Sequence, residues 1–204
     1  MQNSHWSTQN DTEMFEKIYL GSIIFFFIAA FAVRNIKTYL NTGVSIKGKS
    51  KTLSLSIVFT SLVYISIILR LSVLNSTSFL EFYPGRSELV TYIGYVLVGT
   101  GFIIGILALN QMKNSWRVGI KYEQKTELVT SGIYRYSRNP YFLSYSILIF
   151  GFILIFPSVF LIIPYLVLIA LMHMLVLAEE KYLEKTHGQE YLNYKNKTGR
   201  YLTI

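Results

Sequence analysis

The chain contains no cysteine. Disulfides, thiolate metal sites and cysteine nucleophiles are therefore excluded. Histidine is scarce: His5, His173 and His187 are the full set, too few and too scattered for a histidine-rich metal centre. No metal is expected. Charge is scarce as well, at 15% of 204 residues, against about 25% in soluble domains. There is no Walker loop, no H-E-x-x-H, no internal repeat and no low-complexity linker. A signal peptide needs a basic start and a small-residue cleavage site. The first seventeen residues offer instead Asp11, Glu13 and Glu16 with one lysine, so the first apolar run is expected to be retained as a membrane helix.

What is present is hydrophobic: 52% apolar residues and a mean hydropathy of +0.41. Apolar runs approach the roughly 20 residues that a bilayer-spanning helix needs. Five spans are expected, near Ile18–Val33, Leu53–Leu74, Leu89–Leu109, Tyr141–Phe156 and Val159–Leu177. Arg70 near the end of the second can snorkel to the interface. Pro157 and Ser158 separate the last two. One continuous helix there would reach roughly 55 Å, far beyond a 30 Å hydrocarbon core. The two runs are thus expected to form a hairpin. The fold class is all-α, a polytopic membrane protein ending in a helical hairpin and an amphipathic tail. It reads as one membrane domain over residues 1–204, with 1–109 a three-helix part and 110–204 the part carrying the chemistry.

The net charge of +8 does not signal nucleic acid, because no basic amphipathic helix or aromatic stacking platform accompanies it. Sixteen of the nineteen Lys and Arg residues lie in the loop Arg34–Thr52, the segment Asn110–Pro140 and the tail after Leu177. With five spans those three segments share one side, which the positive-inside rule makes cytoplasmic. The N-terminus is then outside. Arg135, Arg138, Glu179 and Glu180 all fall on the cytoplasmic side.

The segment Thr130–Tyr141 reads T-S-G-I-Y-R-Y-S-R-N-P-Y. Pro140 suits the first turn of a helix, and Asn139 before it is biased to extended geometry. The free N–H groups at that helix start carry partial positive charge, and Tyr134, Arg135 and Arg138 crowd it. An anionic ligand group is favoured there; an ordinary aromatic and basic interface belt reads the same way. Beyond the hairpin comes A-E-E-K-Y-L. Glu179 and Glu180 sit at the negative end of a helix dipole, so something positive must compensate them. Arg135 or Arg138 could do so, and so could a bound cation. His173 shares a helix face with Glu180 and is either a functional group or a neutral histidine bonded to a neighbouring helix. Tyr145, Ser144 and Tyr165 read as packing and hydrogen-bond glue. Gly101 and Gly105 permit close helix approach, within the chain or between chains. Gly99-Thr-Gly101 lies inside an apolar span without a preceding strand and is no dinucleotide motif. The tail Lys181–Leu202 has amphipathic spacing and could be an interfacial helix or a lid, broken by Gly188.

Together these residues resemble the isoprenylcysteine carboxyl methyltransferase family, within the larger group that includes phospholipid N-methyltransferases. That family shows G-x-Y before R-H-P-x-Y, a hydrophobic hairpin, then E-E-x-x-L-x-x-x-F-G-x-x-Y-x-x-Y. Gly132, Tyr134, Arg138 and Pro140 match the first part. Glu179, Glu180, Leu183, Gly188, Tyr191 and Tyr194 match the second. Trp116 resembles the tryptophan before the box, and Lys197–Leu202 resembles the family's terminal segment. Asn139 stands where the box histidine would be, Phe142 where its tyrosine would be, and His187 where the later phenylalanine would be. Asn139 can exchange hydrogen bonds but cannot titrate near neutral pH.

The resemblance implies an integral membrane methyltransferase with S-adenosyl-L-methionine as cofactor and a lipophilic acceptor such as an isoprenylcysteine carboxylate, reached from membrane lipid. It assigns Arg138 and Glu180 to catalysis. The cofactor would be lined by Tyr134, Asn139, Pro140, Tyr141, Phe142, Glu179, Glu180, Tyr191 and Tyr194. Two other enzymes stay open: a phospholipid N-methyltransferase, and a nicotinamide-dependent membrane reductase of steroid-reductase type, whose box is R-x-P-N-Y-like. A scaffolding membrane protein with a decayed site is the non-enzyme alternative.

Overall fold

The structure, a computed structural model, describes residues 2–43, 47–72, 87–119 and 127–202, with the side chains of residues 2–12 outside that description. Val73 and Leu74 of the expected second span, the loop after it and residues 120–126 also lie outside it. Six α-helices carry the described chain: α1 (Gln2–Thr42), α2 (Lys51–Ser72), α3 (Glu88–Met112), α4 (Pro140–Ile155), α5 (Val159–His187) and α6 (Gln189–Lys197). The chain is an all-α integral membrane protein. Four stretches are long and apolar enough to cross a bilayer: Glu13–Thr42 in α1, Lys51–Ser72, Glu88–Ser115 and Val159–His187. The fourth expected span, α4, has 16 residues. At 1.5 Å each it covers about 24 Å, somewhat short of a 30 Å core.

Helix ends follow backbone bonding rather than hydropathy. The helix α5 continues ten residues past Leu177 to His187. Its 29 residues reach about 43 Å, so the polar turns from Glu179 onward project beyond the apolar run. Gly188, at φ 54, then turns the chain into α6. An L side chain is strained in that conformation.

The hairpin forms through Phe156–Ser158, and each arm lies mainly along a different partner, α4 on α3 and α5 on α2. The α3–α4 seam is very close. A Cβ at Gly101 would lie 2.7 Å from the Leu148 amide nitrogen, and one at Gly151 would lie 2.8 Å from the Gly94 carbonyl. The small residues of α3 therefore serve packing within the chain, where close backbones gain dispersion contacts that lipid cannot supply. Polar side chains tie the helices further. Tyr19 Oη donates to the Tyr95 carbonyl at 3.0 Å, Ser66 Oγ to the Phe160 carbonyl at 2.9 Å and Tyr165 Oη to the Ser146 carbonyl at 3.0 Å. The Arg70 guanidinium stacks 4.4 Å over the Phe156 ring, which holds its charge at the end of α2. The fully buried core runs through Phe27, Val63, Ile67, Val98, Leu148, Phe152 and Leu168.

Candidate active site

Between the α3–α4 pair and the α2–α5 pair lies a cavity of about 420 Å³. Every residue singled out from sequence for the cofactor reaches its wall: Tyr134, Arg138, Asn139, Pro140, Tyr141, Phe142, Glu179, Glu180, Tyr191 and Tyr194. Residues about forty apart in the chain meet because the hairpin returns α5 to the start of α4. The two ends of the cavity differ in character. One end is polar, formed by the start of α4, the end of α5 and α6. Toward bilayer depth the wall is largely apolar, and Ile28 of α1 and Ile57 of α2 both line the cavity while staying 39% and 38% exposed.

The segment before α4 is set by backbone geometry. Gly132 has φ 62 and carries the Gln111 side chain against its Cα, so a Cβ there has no room. The Ile133 amide donates to Gln111 Oε1 at 2.7 Å. One 3-10 turn, Gly132–Arg135, then buries Tyr134, whose hydroxyl donates to the Ala108 carbonyl at 3.3 Å. Pro140 occupies the first turn of α4 as its fixed φ favours.

At the polar end Glu180 is the hub. Arg138 Nη1 lies 3.2 Å from its Oε1, with both side chains under 10% exposed. Arg200 grips the same carboxylate with two bonds, Nε to Oε1 at 2.8 Å and Nη2 to Oε2 at 2.9 Å. This bidentate pairing raises the Arg200 guanidinium above its usual range, with burial opposing it. Arg138 also donates to the Tyr191 hydroxyl at 3.1 Å. Its Nε is buried and has no hydrogen-bond partner among the described residues. The positive charge that Glu180 demanded is therefore supplied by Arg138 and Arg200. Arg135, the other candidate, is exposed, and its backbone carbonyl accepts from Thr198 Oγ1 at 3.3 Å.

Glu179 also faces the cavity. Arg117 and Tyr182 stand near it; burial lowers the Arg117 guanidinium, and Tyr182 and Glu179 oppose that shift. Burial pushes the Tyr191 phenol up to about 12, with the Glu180 charge adding to it. Burial raises Tyr194 and Tyr134 further. All three phenols stay neutral at ordinary pH; Tyr134 and Tyr194 donate hydrogen bonds, while Tyr191 accepts one from Arg138. Tyr194 spends its proton on the Tyr134 carbonyl at 2.6 Å, which fixes α6 over the box.

The terminal strap Thr198–Leu202 latches the box from outside. The Arg138 amide donates to the Gly199 carbonyl at 3.0 Å and the Asn139 amide to the Arg200 carbonyl at 3.1 Å. Asn139 Nδ2 donates to the same Arg200 carbonyl at 3.1 Å. His173 does not line the cavity; its Nδ1 pairs with the Tyr201 hydroxyl at 2.9 Å and anchors the strap. An aromatic cluster closes another side of the cavity. Tyr141 stacks on Phe27 at 5.9 Å and meets Trp116 edge-on at 4.9 Å, and Trp116 Nε1 donates to Asn35 at 2.7 Å.

Sequence reasoning gave no role to Arg200, Arg117 or Tyr182. The unmet need for a second cation beside Glu180 was the one signal pointing to Arg200, and the chain holds many cations to choose from. Thr60 and Tyr64 carried no signal; a hydroxyl in an apolar span is usually helix glue.

No curated protein matches the chain. The model of the phospholipid methyltransferase family matches residues 89–190, half of the chain, from α3 through the box and the glutamate pair into α6. The segment that builds the cavity's polar end is thus largely the segment this family shares, and the chain belongs to the phospholipid methyltransferase family, as an integral membrane methyltransferase.

Proposed function

We propose that the protein transfers a methyl group from S-adenosyl-L-methionine to the amine head of a lipophilic acceptor, within the cavity between α2–α5 and α3–α4. One observation carries this reading: the cavity has a charged, partly unsatisfied pole at one end and a largely apolar wall at the other, which includes the part-exposed Ile28 of α1 and Ile57 of α2. A polar donor and an apolar acceptor would be brought together from different phases. The fit of the donor rests on the buried Arg138 Nε, which has no hydrogen-bond partner among the described residues and suits a carboxylate. Glu180, held by Arg138 and Arg200, would fix that guanidinium in place. Tyr134, Asn139, Pro140, Tyr141 and Phe142 would line the remainder of the donor, and Tyr191 and Tyr194 would cover it.

When bound, S-adenosylmethionine supplies a methyl on a positively charged sulfur, so the protein's task is chiefly alignment. Holding two reactants in register contributes up to about 7–11 kcal/mol. An ammonium head must lose one proton before its nitrogen lone pair can form the new N–CH₃ bond. Glu179 faces the cavity and can receive it. Asn139 cannot, and its amide is occupied with the strap. The positive-inside distribution of Lys and Arg supports a cytoplasmic placement of this pole.

An isoprenylcysteine carboxylate is the second reading, favoured by Arg117 and Arg138 at the same pole. A carboxylate needs no base, so Glu179→Gln separates the two. The variant would lose transfer to an amine head and keep transfer to a carboxylate. The whole reading is tested by calorimetry of purified protein in nanodiscs with the donor and its demethylated product. Micromolar binding, lost in Glu180→Ala, is expected. No binding of either, or binding of a nicotinamide cofactor instead, overturns it.

A further inference from the structure

The wall of the cavity at bilayer depth is not uniformly apolar. The residues that α2 turns toward it include Ser56, Thr60 and Tyr64, spaced four apart along one face. Ser56 Oγ already donates to the Thr52 carbonyl at 2.8 Å. Thr60 and Tyr64 instead face Tyr145 of α4. The Tyr145 hydroxyl lies within reach of both, and the Tyr64 and Tyr145 rings meet edge-on at 6.1 Å. Tyr145 is 2% exposed, yet its hydroxyl finds no partner of good hydrogen-bond geometry among the described residues. A buried, poorly paired donor in a membrane interior is costly. Helix packing alone does not account for it, because phenylalanine and valine would fill the same space without the cost. Tyr145 lies five residues beyond Pro140, which puts the cluster about 7–8 Å deeper than the polar pole.

We propose that Thr60, Tyr64 and Tyr145 form a carbonyl-binding subsite that selects acceptors carrying a hydrogen-bond-accepting carbonyl in their apolar part, as an ester-linked glycerolipid does. A plain prenyl or alkyl chain offers no acceptor at that depth and leaves the Tyr145 hydroxyl poorly paired. This inference rests on the reading of the cavity as the place where donor and lipophilic acceptor meet. The subsite discriminates by the asymmetry that favours bonded over merely buried polar groups: a substrate lacking the carbonyl strands the Tyr145 hydroxyl in a dry site. Thr60, Tyr64 and Tyr145 are specificity-determining residues, distant from the transferred methyl.

The test uses Trp116, which lines the cavity next to Tyr141. In the Trp6→Phe background it is the single tryptophan, and brominated lipids that enter the cavity quench it. Purified protein in detergent is titrated with chain-brominated dioctanoylglycerol and with its dioctyl ether counterpart, which differ only in the ester carbonyls. The ester is expected to bind at least tenfold more tightly. The double variant Thr60→Val, Tyr145→Phe should bring the two within about twofold, with donor affinity in calorimetry unchanged. Should the double variant fail to fold, Tyr64→Phe alone should still narrow the ratio. Equal quenching by ester and ether in the unaltered hydroxyl set overturns the subsite, as does a preference that survives the substitutions. Donor binding measured on the same samples reports separately on the proposed function. Its absence would sink that reading, whatever the lipids do.

Discussion

The α3–α4 seam and the cavity-facing side of α2 are both built from small or hydroxylated residues, and they do opposite things. In the seam, glycines on both helices bring the backbones so close that a single Cβ at Gly94, Gly101 or Gly151 would collide with main-chain atoms. On α2, Ser56, Thr60 and Tyr64 face space rather than a neighbour's backbone. The difference lies in what stands opposite. Small residues facing small residues close a helix pair, while the same kind of residues facing a diverging pair leave a cavity with hydroxyls on its wall.

The sharpest way to break this contrast is to fill the seam. Gly101→Leu would force a side chain against the Leu148 amide and the Ser144 carbonyl, at 2.7 and 2.8 Å from the Cβ position. Over-packing costs at least about 1–3 kcal/mol even against side chains, and here backbone must move. No monodisperse protein is expected in detergent chromatography. Ile57→Ala on the cavity side should leave yield and melting temperature unchanged, because Ile57 borders open space. Equal behaviour of the two variants would remove the contrast.

Next in size is Glu180→Ala, which strands Arg138 in a site where both side chains are under 10% exposed. Removing one partner of a buried pair costs about 3–5 kcal/mol. A melting temperature lowered by several degrees and at least a hundredfold loss of donor affinity are expected from calorimetry. Arg200→Ala should cost less, about 1.5–3 kcal/mol for charged hydrogen bonds, since Arg200 is 34% exposed. Arg200→Lys should recover only part of it, because an ammonium cannot reproduce two parallel bonds. Arg135→Ala should change neither melting nor affinity. Asn139→Ala removes the bond to the Arg200 carbonyl and should cost about 1 kcal/mol, read as a small melting shift. The smallest effect belongs to Lys195→Ala. Its pair with Glu184 is 37% and 46% exposed and should contribute under about 1 kcal/mol, less still in high salt.

The helical, membrane-spanning character was legible because long apolar runs set between short basic loops are what a bilayer demands and what a water-soluble core rarely needs. The hairpin was legible from length alone. The paired glutamates and the R-N-P box were legible as charged groups placed where membrane segments begin and end. The second partner of Glu180 was not. Several basic residues follow Leu177, and nothing in their spacing shows that Arg200 alone is brought back by a strap bonded to the Arg138 and Asn139 amides. Nor could the role of Asn139 be read. Its replacement of a titratable residue was visible, while its bond to the Arg200 carbonyl depends on where the chain's last turn lies.

Composition and the order of apolar and charged segments by themselves determined that this chain is a bundle of membrane helices whose two charged clusters can meet. Those properties are local, since a bilayer rewards runs of apolar residues whatever they pack against. Only the tertiary structure decided that α4 would lie on α3 and α5 on α2, and so that a cavity would open between the pairs with Glu180 at one end and Tyr145 along its wall. That choice depends on side-chain volumes meeting across helices, glycine against backbone on one side and bulky residues on the other. Such matching is a property of pairs of segments that no single segment carries.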